Sequence, residues 1–202
     1  DRLAAICEAH GVQIIEDCAH TMGAGWNGKA TGRWGRAGCF SLQSYKHANA
    51  GEGGLLVTDD DDLAAQAILM SGSYMLYGAH LSRPPDAVMA RWKYATPNFS
   101  LRMGNLPAAI ALPQLGAVLA DRCARWNQRY GWLAAALAGA PGIDVPQRDV
   151  REQYVASSLQ FSLPDLDHAQ MQVFVQACAD NGVFIKWFGA DAPAGYTSAW
   201  RH

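Results

Sequence analysis

Four residues in the first quarter of the chain are of types that can do chemistry together: Asp17, His20, Ser41 and Lys46. The chain has only four lysines, and Lys46 lies between two short apolar runs, residues 39–42 and 54–58, with Gly51, Gly53 and Gly54 just beyond it. A lysine that follows a buried strand can shed hydration and act as a neutral amine that condenses with a carbonyl. Asp17 closes the apolar run that starts at Val12, and open α/β sheets place their ligands at such carboxyl ends. A carboxylate there can pair with a cationic ring nitrogen. Ser41, near a strand end with glycines close by, is a candidate phosphate contact, and His20 stands three residues after Asp17. Taken singly, each has a plainer reading: a solvated loop lysine, an aspartate capping a turn, a packed histidine, a polar strand residue.

The elements that would position these residues follow from periodicity and punctuation. Residues 2–10 place Leu3, Ile6 and Cys7 on one helical face, and Gly11 is a natural C-terminal cap. Residues 12–15 read as a buried strand, 21–38 as a glycine-rich irregular loop, and 39–42 and 54–58 as further strands. Asp59, Asp60, Asp61 and Asp62 offer N-caps for a helix over 63–70. Residues 71–100 lack a period and read as a long loop whose Tyr74, Tyr77, His80, Arg83 and Trp92 are candidate substrate contacts. Asn105 is placed to cap a long helix with Leu115, Leu119, Arg122, Trp126, Tyr130, Leu133 and Leu137 on one stripe, and Pro113 should kink it or split off its first turns. Residues 155–163 alternate as a half-buried strand does. Asp167 starts a helix ended by Asn181-Gly182, and 183–188 read as a last strand. The order implies an α/β first part and a smaller α+β second part.

Composition narrows the function classes. Half of the 202 residues are hydrophobic and 17% are charged, which is globular and not disordered. A net charge of −2 gives no electrostatic case for nucleic acid or membrane partners. No run of 18 apolar residues suggests a membrane span. Five scattered cysteines without a CxxC pair argue against a disulfide framework or zinc site and for a cytoplasmic location. The chain opens at Asp1-Arg2-Leu3 inside a predicted helix and ends at Trp200-Arg201-His202, so a fragment at both ends is expected.

As a set the residues form a pattern. Ile14-Ile-Glu-Asp-Cys-Ala-His-Thr-Met-Gly23 and Phe40-Ser-Leu-Gln-Ser-Tyr-Lys-His-Ala-Asn-Ala-Gly-Glu-Gly-Gly54 closely resemble the DegT/StrS-type sugar aminotransferases. The stretches Val57-Thr-Asp-Asp-Asp-Asp-Leu-Ala64, Arg102-Met-Gly-Asn-Leu-Pro-Ala-Ala-Ile-Ala-Leu-Pro-Gln-Leu115 and Gly182-Val-Phe-Ile-Lys-Trp-Phe188 are similar to further family segments in the same order. The resemblance implies a fold-type I large domain, a partial mixed sheet flanked by helices. A long helix would join it to a small α+β domain, with residues 1–104 the remnant of the large domain and 105–202 the linking helix and part of the small one. It implies pyridoxal 5′-phosphate (PLP) as cofactor. Lys46 would form the Schiff base and move the proton, Asp17 would pair with the pyridine nitrogen, and Ser41 would donate to the phosphate. His20 would contact the ring, and Arg102 would reach the phosphate of a partner subunit in a homodimer with shared active sites. The implied reaction moves an amino group from glutamate or glutamine to a keto sugar, often nucleotide-linked, or a keto cyclitol. A dehydratase branch resembles the family but has His at the lysine position, and Lys46 separates this chain from it. The family's phosphate-cradling turn and its stacking aromatic would precede residue 1. The alternative is therefore a truncated, non-catalytic remnant or interaction module. Lys186 and Trp187 are candidates for the substrate side of the small domain, or plain strand residues.

Overall fold

The computed structural model describes residues 2–73, 75 and 77–190, so Tyr74 lies outside the described residues. The chain divides into two compact units, residues 1–133 with 147–159 and residues 134–146 with 160–202.

In the first unit, helix α1 (Arg2–Ala9) ends in a Schellman motif. Gly11, at φ +65°, and Val12 donate their N–H groups to the carbonyls of Glu8 and Cys7 at 3.1 and 2.8 Å. That cap takes Val12 out of the strand expected at 12–15, and β1 begins later, at Ile15–Asp17. Strand β1 runs parallel to β4 (Ala37–Ser41), with Asp17 opposite Cys39. Strand β4 pairs antiparallel with β5 (Gly54–Val57), with Ser41 opposite Gly54. Because β1 and β4 run the same way, Asp17 and Ser41 both close their strands on one edge of the sheet.

The expected irregular loop at 21–38 contains a hairpin, β2 (Gly25–Trp26) and β3 (Lys29–Ala30), turned by Asn27-Gly28 at φ +49° and +78°. Asn-Gly between strands is the signal of a type I′ turn, whose two central residues both need positive φ. Strand β6 (Glu152–Gln153) completes a second sheet in the order β3-β2-β6. The strand expected at 155–163 does not form. The Asn127 side chain instead takes the Tyr154 carbonyl and the Ala156 N–H, both at 2.9 Å, groups that a ladder would need.

Helix α2 (Asp61–Met70) starts where the aspartate run predicts, with Asp60 as N-cap accepting from the Leu63 N–H at 3.0 Å. The Arg36 guanidinium adds a 2.7 Å ion pair, and the backbone donor and that cation hold the Asp60 carboxyl below the usual carboxylate range. Asp60→Ala is expected to cost about 1 kcal/mol in urea unfolding at neutral pH. A depressed native value means that this contribution is complete above the unfolded carboxylate value, about pH 4, and is lost as pH falls through the native one. The gap between wild type and Asp60→Ala should therefore close on acidification.

Residues 71–100 are less irregular than their composition suggests. Pro85 precedes helix α3 (Asp86–Trp92), which buries Met89 against Ala65 and Leu69 of α2. Asp62 of α2 accepts from the Trp92 indole at 2.6 Å and pairs with Arg91. Gly104, not Asn105, is the N-cap of α4 (Asn105–Ala111). Pro113 splits the expected long helix as anticipated: a 3-10 turn at Leu112–Gln114 and Gly116 at φ +72° separate α4 from α5 (Ala117–Ala138). On α5 the buried side chains are Cys123 and Tyr130, whereas Leu133 of the expected stripe is 56% exposed. The core beneath the lysine loop joins Met22, Leu42, Ala48 and Ala111, with Phe40, Leu55, Met103 and Leu119 packed around them.

In the second unit, Asp144 and Ser162 form an isolated antiparallel bridge and Phe161 lies edge-on to Phe174 at 6.5 Å. Helix α6 (His168–Asp180) has a full capping box between Asp167 and Gln170. It ends, like α1, in a Schellman motif, with Gly182 at φ +75° and Val183 bonded to the Cys178 carbonyl at 2.8 Å. The strand expected at 183–188 is absent, because Val183 is part of the cap and no described partner strand follows. No described helix is long and apolar enough to cross a membrane.

Candidate active site

Asp17 and Ser41 end β1 and β4 at the carboxyl edge of the sheet, and His20 and Lys46 follow in the segments just beyond. At the end of β1, Asp17 Oδ1 accepts the Ala19 N–H at 3.0 Å, an Asx turn that bends the chain. The Cys18 N–H extends the ladder to the Cys39 carbonyl at 2.8 Å. The bend delivers His20, whose Nε2 is 2.7 Å from Lys46 Nζ. Oδ2 of Asp17 is left without a hydrogen-bond partner among the described residues. Ser41 Oγ accepts the Gln43 N–H at 3.2 Å and keeps its own proton available to donate.

The lysine loop closes on itself at its base. Leu42 donates to the Gly53 carbonyl at 2.9 Å, Ala50 to Leu42 at 2.8 Å and Ser44 to Gly51 at 3.0 Å. Gly51 and Gly53 sit at φ +85° and +135°, conformations that only glycine adopts without strain. A Cβ on Gly53 would also come within 3.1 Å of the Met103 methyl. These glycines make the turn into β5. Within the loop the Lys46 N–H donates to Gln43 at 2.9 Å, which leaves the partly buried Lys46 side chain pointing to His20.

Beneath the lysine lies His47, 2% exposed, with both ring nitrogens unpartnered and its ring edge-on to Trp126 at 5.2 Å. Burial, reinforced by the neighbouring His20, Lys46 and Arg122, pushes this imidazole below its ordinary range. A histidine whose native value is depressed binds fewer protons folded than unfolded. Its contribution is therefore complete above the unfolded value, about 6.5, and is lost as pH falls toward the native one. Urea unfolding should show stability declining below pH 6.5 in the wild type and a flatter profile in His47→Leu.

Arg102 Nη1 donates to the Ser71 carbonyl at 3.4 Å, at the end of α2. Of the other candidates in 71–100, Trp92 is bonded to Asp62, and Arg83 pairs with Asp86. In the second unit, Trp187 stacks obliquely on His168 at 4.8 Å and Lys186 lies over the Phe188 ring at 5.5 Å. Two surface hollows, about 280 and 400 Å³, are lined by groups including Arg33 and Phe40, and Trp26 and Trp34, and by none of Asp17, His20, Ser41 and Lys46. Among the described residues no group of three or more His, Cys, Asp or Glu could hold a metal ion.

Sequence reading overlooked Glu16, whose carboxylate accepts the N–H groups of Gly32, Trp34 and Gly35 at 2.8, 2.5 and 2.8 Å. It gave no role to Gln114, which lies in the 102–115 stretch and bonds the Asn49 backbone. No local pattern announces either, because the partners lie 16 to 65 residues away.

Comparison with known proteins identifies the family and the fold. L-glutamine:scyllo-inosose aminotransferase of Streptomyces griseus is 52% identical over 67 residues, 33% of this chain and 16% of that protein. GDP-perosamine synthase of Caulobacter vibrioides is 35% identical over 138 residues, 68% of this chain and 34% of that protein. The E. coli GDP-4-keto-6-deoxy-D-mannose-3-dehydratase with bound hydrated PLP shares the fold, at a TM-score of 0.73 and 20% identity, over 90% of this chain and 49% of that one. The matches thus span about half of the solved structure and about a third or less of the curated relatives. A family model matches residues 1–188, and the chain belongs to the DegT/DnrJ/EryC1/StrS aminotransferase family.

Proposed function

We propose that this chain carries the lysine half of a PLP-dependent aminotransferase. It would move an amino group from glutamine or glutamate to a keto cyclitol or a keto sugar, often nucleotide-linked. The observation that carries the reading is the 2.7 Å approach of Lys46 Nζ to His20 Nε2, at the sheet edge where Asp17 and Ser41 end their strands. The donor set suits the cofactor. It offers a primary amine for an aldehyde, a carboxylate oxygen without a partner for a protonated ring nitrogen, and a hydroxyl proton for a phosphate. When bound, PLP supplies an aldehyde carbon that accepts an amine and a ring that takes up electrons from a carbon losing its proton.

The chain's own groups have distinct parts. Lys46 Nζ, as a neutral amine, would hold the cofactor's aldehyde carbon, and the same Nζ would take up the proton that leaves the amino donor's α-carbon. His20 Nε2 holds that amine by hydrogen bond and fixes where the proton is carried. Asp17 keeps a proton on the ring nitrogen, since a carboxylate beside it stabilises the cationic form. Ser41 Oγ orients the phosphate. Arg102 contributes a phosphate contact across a homodimer with shared sites. Residues 1–104 on this reading hold the cofactor, 105–202 form the linking helix and part of the small domain, and the enzyme works in the cytoplasm. The donor and acceptor classes draw support from the names of the Streptomyces and Caulobacter relatives. Lys46, in place of a histidine, favours amino transfer over dehydration.

The test is titration of the purified chain with PLP, followed by borohydride reduction and peptide mapping. A new absorbance band and a pyridoxyl mass on the Lys46 peptide are expected. Absence of both would leave the non-catalytic reading standing. Nitrogen-15 from amide-labelled glutamine should then appear in a keto cyclitol or in a nucleotide-linked keto sugar, which separates the two acceptor classes.

A further inference from the structure

We infer that Gln114 and Arg122 are positioning residues for the Lys46 amine, an inference that rests on the reading of Lys46 above. The three residues after the lysine, His47-Ala48-Asn49, form the loop's inner side, with His47 2% and Ala48 0% exposed. Their backbone is gripped by the segment joining α4 to α5 and by the start of α5. One amide, Gln114, takes both polar groups of Asn49: Oε1 accepts the N–H at 3.1 Å and Nε2 donates to the carbonyl at 2.5 Å. The same Nε2 donates to the Ile110 carbonyl at 2.9 Å, which ties the grip to α4. Arg122 Nη1 donates to the His47 carbonyl and, at 3.3 Å, to Gln114 Oε1. The guanidinium therefore fixes the amide's orientation while it satisfies a carbonyl that water does not reach. The His47 ring, seated on Trp126, adds an apolar stop.

The grip ends one residue short of Lys46. A lysine side chain has many rotamers, so a fixed backbone is what limits where its amine can reach relative to His20. The contacts come from residues 65 and 75 positions away, so they depend on the folded helices and not on the loop's own turn geometry. Neither side chain hydrogen-bonds the lysine amine or His20. Both act through the backbone.

The experiment compares wild type with Gln114→Ala, Arg122→Ala and the milder Gln114→Glu and Arg122→Lys, each at equal concentration of folded protein. The first readout needs no cofactor: trace acetylation of the intact chain gives the labelling of Lys46 relative to exposed Lys29. The alanine variants should change this ratio by about threefold or more, with Arg122→Lys closer to wild type. The second readout is the rate of borohydride-fixed pyridoxyl incorporation at Lys46, expected to fall about tenfold, as misplacing a reacting group does. Variants that unfold more easily yet keep the wild-type acetylation ratio would reduce the grip to a structural contact and overturn the inference. Failure of wild type to incorporate PLP at Lys46 would instead sink the aminotransferase reading, and the acetylation ratio would still decide the positioning role.

Discussion

Lys46→Ala is expected to abolish covalent capture of PLP and to lower amino transfer by at least about 10³-fold, the order lost when a positioned acid–base group is removed. The size of the effect follows from the site's chemistry. His20 Nε2 is the side-chain partner of the Lys46 amine at 2.7 Å. The other three lysines are engaged with aromatic rings: Lys29 lies 4.6 Å from the Trp34 centroid, Lys93 5.9 Å from Tyr77, and Lys186 5.5 Å from Phe188. None can replace the missing nucleophile. Lys46→Arg is the sharper control. It keeps a cation near His20, but a guanidinium does not give up its proton in a protein, so it can neither attack an aldehyde nor accept a proton. Both variants should retain weak, reversible PLP binding through Asp17 and Ser41, seen as absorbance that borohydride does not fix. If reduction still fixed the pyridoxyl group in Lys46→Ala, the mapped peptide would name a different lysine and the assignment would fail.

The alternation and capping signals that made helices legible also misled about strands. Aspartates at 60 and 167 mark the starts of α2 and α6 because a side chain capping its own helix is a local interaction, visible in a few residues. Residues 12–15, 155–163 and 183–188 carry apolar residues at strand-like spacing too. In each case the backbone groups are claimed otherwise, by Schellman caps at Val12 and Val183 and by the Asn127 amide at Tyr154 and Ala156. A strand needs a partner, and a partner is a tertiary fact. In α3 the opposite occurred: Pro85-Asp86 and the spacing of Val88, Met89 and Trp92 were a readable helix start, hidden by the aromatic-rich loop around it.

For the site, residue types were legible and supports were not. Lys46, His20, Asp17 and Ser41 stand within 30 residues, and their motif is local. The groups that hold them are distant in sequence. Gln114 and Arg122 grip the backbone after Lys46 from 65 and 75 residues away, and Glu16, next to Asp17, anchors a glycine-rich loop 16 to 19 residues on. A glutamine in a 3-10 turn and a glutamate on a short strand have no signature that distinguishes a backbone anchor from a solvated side chain.

Glu16 carries the largest expected stability effect. Its carboxylate takes three backbone N–H groups: Gly32 on one oxygen, and Trp34 and Gly35 on the other. Charge-assisted bonds contribute roughly 1.5–3 kcal/mol each when measured singly, and a buried N–H left unpaired costs a similar amount. Allowing for the site's partial exposure and for non-additivity, Glu16→Ala should lose about 3 kcal/mol in urea unfolding. Glu16→Gln should lose about half of that, since its amide oxygen can keep the Trp34–Gly35 pair while its NH₂ faces the Gly32 N–H. The anchored loop has little room to resettle. A Cβ on Gly35 would fall 2.4 Å from the Ile14 carbonyl, and one on Gly38 would fall 2.3 Å from the Gly32 Cα, so loop and sheet are in backbone contact. Releasing the loop therefore frees the end of β1 that carries Asp17. Amide hydrogen exchange at Gly32, Trp34 and Gly35 should accelerate together in Glu16→Ala, with the loss of PLP affinity following from Asp17 and not from Lys46. Unchanged exchange at those three amides, with stability within about 0.5 kcal/mol of wild type, would show that the carboxylate is hydrated in solution and that the strand is held by its pairing with β4 alone.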